Sequence, residues 1–192
     1  MKSTIILCSG GARSGKSEFA EQLALSLKGR KAYVATGQAF DDEMKDRIKK
    51  HQLRRGKEWI TFEIPLHLHK NWEEIKNVSD VILIDCLTMF TSNHVFAHGD
   101  ISTQEDANRI ESIILKELRL LLQEINNSND KTVIFVTNEI GLGIVPENKL
   151  ARYFRDITGR VNREVASTAN KMYLTISGIT IELKSQEVHI NG

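Results

Sequence analysis

Features that mark several specialised protein classes are scarce in this chain of 192 residues. Its two cysteines, Cys8 and Cys86, are too few for a disulfide framework and lie in or beside apolar runs, where cysteine usually packs as a small hydrophobic side chain. Proline occurs only twice and glycine 12 times, which excludes collagen-like and proline-rich disordered classes. No apolar run approaches the roughly 18 residues that a membrane-spanning helix needs. We therefore expect a globular protein without a transmembrane segment.

Strong charge of one sign is also absent. Lys and Arg number 26 against 25 Asp and Glu, so the formal net charge of +1 gives no global attraction for nucleic acid or an anionic membrane. After Lys2 a short apolar run leads directly into a glycine-rich turn, too soon for the apolar core of a signal peptide. We expect a cytoplasmic protein that has no nucleic-acid partner, and any anion site must be local.

The hydrophobic pattern alternates between strand-like and helix-like segments. Strands are predicted over residues 4–9, 31–35, 59–64, 81–84 and 132–137, and helices over 17–27, 66–76, 105–125 and 147–169. A hairpin is predicted over 172–184 around Gly178. This alternation predicts an α/β fold with a largely parallel sheet and helices on both faces. The length suits one domain spanning residues 1–192.

A phosphate-binding loop is predicted between the first strand and the first helix. The segment Gly10-Gly11-Ala12-Arg13-Ser14-Gly15-Lys16-Ser17 fits the pattern G-x-x-x-x-G-K-[ST]. Its glycines let backbone N–H groups turn toward phosphate oxygens, and the helix N-terminus adds a positive dipole end. Lys16 would bridge the outer phosphates, and the Ser17 hydroxyl would ligate Mg²⁺. A nucleoside triphosphate is therefore the expected ligand, and an incidental glycine turn is the disfavoured alternative.

Two acidic residues follow predicted strands, at the edge where open α/β sheets bind ligands. Asp85 closes the strand at 81–84 and is placed like the acid that holds a nucleotide's Mg²⁺ directly or through water. The alternative is an aspartate that caps the next turn. Glu139 follows the strand at 132–137, and three roles stay open for it: general base, metal contact or a group that braces the loop.

His51 lies in a strongly basic segment of this nearly neutral chain. A helix is predicted from Asp41 or Asp42 toward it, and helical spacing would place Arg47, His51 and Arg55 on one face. An imidazole on such a face can attack the α-phosphorus of a nucleoside triphosphate while guanidinium groups stabilise the developing charge. The alternative is a solvated charged helix that carries an ordinary surface histidine.

The remaining blocks form a distinctive combination. Besides the phosphate loop they are Ala35-Thr36, Asp41-Asp42-Glu43-Met44 with Arg47-Ile48 and His51, Trp59 with Glu63, and the run Val136-Thr137-Asn138-Glu139-Ile140-Gly141-Leu142-Gly143-Ile144-Val145-Pro146-Glu147-Asn148, continued by Leu150-Ala151-Arg152, Phe154-Arg155-Asp156 and Gly159-Arg160-Val161-Asn162. Together they resemble the bifunctional adenosylcobinamide kinase / adenosylcobinamide-phosphate guanylyltransferase family of cobalamin biosynthesis. The resemblance covers almost the whole chain, and the block at 138–162 is specific to this family.

The resemblance implies a RecA-like P-loop domain, in a family of homotrimers, that catalyses two successive reactions. With ATP or GTP and Mg²⁺, the enzyme first phosphorylates the hydroxyl on the aminopropanol arm of adenosylcobinamide. GTP then guanylylates His51 with release of pyrophosphate. The GMP passes to adenosylcobinamide phosphate, which becomes adenosylcobinamide-GDP. His51 and Lys16 are the catalytic residues in this scheme.

The resemblance also assigns nucleotide contacts residue by residue. They are Gly10, Gly11, Ala12, Arg13, Ser14, Gly15, Lys16 and Ser17; Thr36 and Gly37 after the second strand; Gln52, Leu53, Arg54 and Arg55 after the histidine; and Glu63 and Asp85. The metal ligands are Ser17 and Asp85. Asp85 stands where a relative has Glu, so the carboxylate here is the shorter one.

Two other functions are compatible with parts of the sequence. A P-loop small-molecule kinase without a covalent intermediate would use His51 only as a phosphate contact. A GTP-dependent binding switch is disfavoured because Asp156-Ile157-Thr158-Gly159, which matches D-x-x-G, falls in a predicted helix, and no N-K-x-D guanine signature occurs.

Overall fold

A computed structural model describes residues 2–38 and 58–189. The strands are β1 (Thr4–Gly10), β2 (Lys31–Ala35), β3 (Trp59–Glu63), β4 (Val81–Asp85), β5 (Thr132–Asn138), β6 (Lys171–Ile176) and β7 (Ile179–Glu182). The helices are α1 (Lys16–Ser26), α2 (Trp72–Val78), α3 (Leu87–Ala97), α4 (Gln104–Asn127) and α5 (Lys149–Thr168). Two short 3₁₀ turns cover Leu68–Asn71 and Lys184–Gln186. The basic helix predicted before His51 lies outside the described residues.

The seven strands form one sheet in the order β3-β2-β4-β5-β1-β6-β7. All neighbouring pairs are parallel except β6 and β7, which form the antiparallel hairpin at one edge. The predicted fold class, an α/β domain with a mostly parallel sheet and a C-terminal hairpin, is confirmed. Because parallel strands end at the same edge, the ends of β1, β2, β4 and β5 are brought together there.

Alternating side chains of the strands build two separate cores. On one face, α1 contributes Ala20 and Ala24, which belong to the same buried cluster as Val81 and Leu83 of β4. On the other face, strand residues such as Ile82 pack with α3, α4 and α5. The period of two along each strand assigns these faces, so the prediction of helices on both sides of the sheet is confirmed.

The two longest helices begin at side-chain caps. The Thr103 hydroxyl accepts a hydrogen bond from the backbone N–H of Asp106, and the Asp106 carboxylate accepts one from the N–H of Thr103, which together form a capping box before α4. The Asn148 side chain accepts from the N–H of Ala151 at the start of α5. These caps satisfy N–H groups that the helices themselves leave unpaired.

Two helical segments differ from the sequence-based expectation. Helix α3 was not predicted, because buried side chains on most of its sides remove the amphipathic period that reveals a surface helix. The helix predicted over 66–76 is instead a 3₁₀ turn followed by α2. His67, with a positive φ of 57°, interrupts any continuous helix at this position.

A buried carboxylate joins α4 to the 3₁₀ turn and to α3. One oxygen of Glu117 lies 3.1 Å from Nδ1 of His67 and 3.4 Å from Nε2 of the fully buried His94. Its other oxygen accepts a hydrogen bond from the N–H of Leu68. Burial by itself raises the pKa of Glu117, but the imidazoles of His94 and His67 outweigh burial and lower the pKa to about 2. The carboxylate is therefore ionised at neutral pH.

Among residues 2–38 and 58–189, none of the helices combines the length and the apolar character that crossing a bilayer would require.

Glu117→Gln is expected to lower the free energy of unfolding at pH 7 by about 1–3 kcal/mol, because it leaves the buried imidazole of His94 and the half-exposed imidazole of His67 without their carboxylate partner. A carboxyl group whose pKa falls on folding stabilises the native state above its unfolded pKa of 4.5, and the stabilisation is lost as the pH falls toward about 2. Urea unfolding between pH 7 and pH 3 measures both effects.

The matched control is Glu124→Gln on the exposed side of the same helix. It should change the unfolding free energy by less than about 0.5 kcal/mol. Equal stability of the two variants across the pH series would contradict a structural role for the Glu117 carboxylate.

Candidate active site

The predicted phosphate loop joins the end of β1 to the start of α1. Gly15, immediately before the helix, has a φ of 98°, and Arg13 has a φ of 57°. Both are left-handed conformations, and that of Gly15 favours a residue without a Cβ. The ammonium group of Lys16 donates a 3.2 Å hydrogen bond to the carbonyl oxygen of Gly11, so the side chain folds back across the loop. Helix α1 begins at Lys16, so its N-terminus directly follows the loop.

Gly10 is required because neighbouring groups approach it closely. A Cβ at this position would lie 2.5 Å from the carbonyl oxygen of Thr175 in β6 and 2.6 Å from the Ser14 hydroxyl oxygen. The first of these atoms belongs to the backbone and cannot rotate away. The Ser14 hydroxyl oxygen is itself buried, and the described residues offer it no hydrogen-bond partner. A cradle with a buried polar atom of this kind fits a phosphate ligand.

The hairpin turn supports the phosphate loop from the other side. The N–H of Gly178 donates a 2.8 Å hydrogen bond to the carbonyl oxygen of Ser14. Ser177 and Gly178, both with positive φ, form the tight turn between β6 and β7 that makes this approach possible. The β6–β7 hairpin and the phosphate loop are each predicted from local patterns, but nothing in the sequence indicates that they contact each other.

Asp85 ends β4 at the same edge of the sheet. Its carboxylate accepts a 3.0 Å hydrogen bond from the Tyr33 hydroxyl, and the residue is partly exposed. Hydroxyl and carboxylate oxygens are the hard ligands that Mg²⁺ prefers beside nucleotide phosphates. Ser17 and Asp85 therefore fit the metal-binding role that the sequence predicts for them, which stays a prediction.

Two charged residues of the site affect the pKa of the Cys86 thiol. Burial raises the pKa of Cys86 to about 11, the Asp85 carboxylate adds to the rise, and Lys16 opposes it. The Lys16 ammonium and the Asp85 carboxylate therefore both lie near enough to Cys86 to shift its pKa. Burial also raises the pKa of Cys8 to about 12, so neither cysteine is a thiolate at neutral pH.

Thr36 and Glu63 lie at this edge in different surroundings. Thr36 is fully buried, with its hydroxyl bonded to the backbone of Cys86. Glu63 is exposed at the end of β3, and three strands separate β3 from β1. At about 4.8 Å per strand, Glu63 stands about 19 Å across the sheet from the phosphate loop. It can therefore meet only the far end of a ligand whose phosphates occupy the loop.

Glu139 braces the loop that follows β5. Its N–H donates to the carbonyl oxygen of Gly10 at 3.1 Å, and its Oε1 accepts from the N–H of Gly141 at 2.9 Å. Of the three roles considered for this residue, bracing is the one that its described contacts support.

A buried polar network fixes the end of β5, and sequence analysis missed it. The Thr137 hydroxyl donates to Oδ1 of Asn162 in α5 at 2.6 Å, and the amide of Asn162 donates to the carbonyl oxygen of Asn138. The Thr88 hydroxyl in α3 accepts from the N–H of Asn138. Asn138 and Asn162 belong to the family-specific block at 138–162, and Thr137 directly precedes it. A signal was therefore present in the sequence, but which residues of the block pair with one another cannot be read from their spacing.

The remaining predicted site residues, His51, Gln52, Leu53, Arg54 and Arg55, lie outside the described residues. Gly37 is partly buried just beyond Thr36.

Gly10→Ala is expected to destabilise the protein by about 1–3 kcal/mol, because the added methyl group overpacks a site closed by backbone. Nucleotide binding should weaken with it, since the loop must shift away from β6. Thermal unfolding and equilibrium binding of a fluorescent GTP analogue measure the two effects.

Gly11→Ala is the matched control, because a Cβ at Gly11 meets no atom within 4 Å. It should unfold at nearly the wild-type temperature. Identical unfolding temperatures for the two variants would contradict the packing argument at Gly10.

Comparison with known proteins identifies the family. The family model described as "CobU: Cobinamide kinase / cobinamide phosphate guanyltransferase" matches residues 6–183. The bifunctional adenosylcobalamin biosynthesis proteins CobU of Escherichia coli K12 and of Salmonella typhimurium LT2 are each 42% identical over 182 residues, covering 94% of this chain and 99% of the relative. CobP of Pseudomonas aeruginosa PAO1 is 34% identical over 177 residues, covering 92% of this chain and 95% of the relative.

Among solved structures, the RadB recombinase aligns with a TM-score of 0.48 and 15% identity, over 89% of this chain and 73% of that protein. The family assignment rests on the family model and on the identity with full-length relatives, and it agrees with the phosphate loop and acidic strand end described above. The chain belongs to the cobinamide kinase / cobinamide phosphate guanyltransferase family.

Proposed function

We propose that this enzyme phosphorylates adenosylcobinamide and then converts adenosylcobinamide phosphate to adenosylcobinamide-GDP, with His51 carrying the GMP between the two substrates. The observation that carries the proposal is the phosphate loop with Lys16 folded across it, in a chain matched by the family model over residues 6–183. A single domain spanning residues 1–192 performs both reactions.

In the first reaction, a hydroxyl oxygen of adenosylcobinamide attacks the γ-phosphorus of ATP or GTP. The new P–O bond forms as the bond to the nucleoside diphosphate breaks, and the hydroxyl proton leaves to solvent. Lys16 and the loop N–H groups stabilise the charge on the phosphoryl oxygens. Mg²⁺, held by Ser17 and Asp85 when it is bound, would supply further charge neutralisation.

In the second reaction, a ring nitrogen of His51 attacks the α-phosphorus of GTP and pyrophosphate leaves. The product is a phosphoramidate, in which GMP is bonded to the imidazole. A phosphate oxygen of adenosylcobinamide phosphate then displaces the imidazole, which restores His51 and gives adenosylcobinamide-GDP. One phosphate cradle serves both reactions, because the nucleophile that enters decides which phosphorus is attacked.

The GTP-switch alternative is further disfavoured by the fold. Asp156-Ile157-Thr158-Gly159 lies within α5, as predicted, and a D-x-x-G switch would follow a metal-binding strand.

We further propose that the protein acts in the cytoplasm as a homotrimer. Large apolar side chains are exposed in the loop after β5 and on β7, where Leu142, Ile144 and Ile179 are 82%, 96% and 71% exposed. Exposed apolar side chains in such numbers favour a surface that another chain covers.

His51→Ala is expected to abolish guanylyl transfer while it leaves part of the kinase activity, because only the second reaction needs the imidazole. Incubation with α-labelled GTP should label the wild-type protein through an acid-labile, alkali-stable bond, and the labelled peptide should contain His51. No label should be trapped on His51→Ala.

His189→Ala, which changes an exposed histidine near the C-terminus, should be labelled like the wild type. Guanylyl transfer that persists in His51→Ala would refute the covalent route and favour a kinase without a protein-bound intermediate.

Lys16→Ala is expected to reduce both reactions by roughly 100-fold or more, since both place charge on oxygens that Lys16 stabilises. Separate assays of adenosylcobinamide phosphate formation and of protein labelling measure this. Loss of one activity alone would contradict a shared cradle.

A further inference from the structure

Thr36, the residue after β2, makes more hydrogen bonds to Asp85 and Cys86, at the end of β4, than strand pairing requires. The last regular pair of these strands joins Ala35 to Asp85. Beyond that pair, the N–H of Thr36 donates to the carbonyl oxygen of Asp85 at 3.1 Å. The Thr36 hydroxyl then both donates to the carbonyl oxygen of Cys86 and accepts from its N–H, each at 2.7 Å. Three hydrogen bonds from one residue thus fix the backbone from which the Asp85 side chain projects.

Tyr33 fixes the side chain itself. Its hydroxyl donates to Oδ2 of Asp85 at 3.0 Å. The residue is 4% exposed, and its ring stands edge-on to that of Trp59 at a centroid distance of 6.1 Å. A ring held in this way has little freedom, so its hydroxyl defines one orientation of the carboxylate. Among the described residues, Oδ1 of Asp85 has no hydrogen-bond partner, which leaves that oxygen for a ligand.

Asn93 anchors this arrangement to α3, the helix that begins just after Cys86. Its side-chain amide donates to the carbonyl oxygen of Thr36 at 2.7 Å and to that of Pro65 at 3.0 Å. Asn93 is 3% exposed and Thr36 is fully buried. The chain leaving β2 is therefore held on one side by Asp85 and Cys86 and on the other by α3.

We propose that Tyr33 and Thr36 are positioning residues for Asp85, with Tyr33 setting the carboxylate orientation and Thr36 the backbone beneath it. The proposal rests on the proposed function, in which Asp85 binds the Mg²⁺ of the nucleotide. It changes the role that family resemblance assigns to Thr36: a fully buried hydroxyl that already donates and accepts acts through Asp85 rather than on the nucleotide.

Equilibrium binding of a fluorescent, non-hydrolysable GTP analogue tests the proposal, first in EDTA and then in a Mg²⁺ titration. Tyr33→Phe removes the hydroxyl but keeps the ring that packs on Trp59. Its affinity in EDTA should stay within about twofold of wild type, and its Mg²⁺ midpoint should rise about tenfold, the order lost when the partner of a metal ligand is removed. Thr36→Val should behave in the same way.

Two variants serve as controls. Thr36→Ser keeps the hydroxyl and should restore the wild-type Mg²⁺ midpoint. Tyr173→Phe removes a hydroxyl from β6, where the ring packs on Phe19, and should leave the midpoint unchanged. Should Thr36→Val fail to fold, because it leaves Cys86 with unpaired backbone groups, Tyr33→Phe decides the matter by itself.

Wild-type midpoints in Tyr33→Phe and in folded Thr36→Val would overturn the proposal. Equal weakening with and without Mg²⁺ would also overturn it, since that pattern belongs to a direct nucleotide contact. Asp85→Asn tests the metal-binding role of Asp85 by itself. A wild-type Mg²⁺ midpoint in Asp85→Asn would show that Asp85 does not bind the metal, and would refute that part of the proposed function.

Discussion

The site depends on the parallel, in-register pairing of β2, β4, β5 and β1. This pairing places Ala35 beside Asp85, and Gly10 beside Asn138, at one edge of the sheet. Each strand is buried on both faces, so a shift by one residue would exchange the side chains that face α1 with those that face α3, α4 and α5. The apolar cores therefore fix the positions of the polar residues at the strand ends.

Several polar groups behind the strand ends contact one another. Thr36 pairs with Cys86, Asn162 links Thr137 to Asn138, and Glu117 holds two histidines. Thr36, Thr137 and Glu117 are buried, and removal of the partner of any of them would leave a buried polar group without its hydrogen bond or ion pair. Such networks make the edge rigid, which suits a site that must present the same cradle to two different nucleophiles.

Local patterns in the sequence predicted the phosphate loop and the acidic residue at the end of β4. The phosphate loop was predicted because its glycines, Lys16 and Ser17 are consecutive, and Asp85 was predicted because it ends an apolar run. Partners such as Tyr33 and Asp85, or Ser14 and Gly178, are far apart in the chain, and only the sheet order brings them together. Helix α3 escaped prediction for a related reason, since burial on most sides erases the periodicity that marks a helix.

The contact between the hairpin turn and the phosphate loop joins segments that are far apart in the polypeptide. Gly178, which donates to the carbonyl oxygen of Ser14, is translated much later than Ser14. Strand β1 likewise lies between β5 and β6, both of which are synthesised after β2, β3 and β4. In a nascent chain, the nucleotide cradle therefore stays unfinished until the turn between β6 and β7 has been translated.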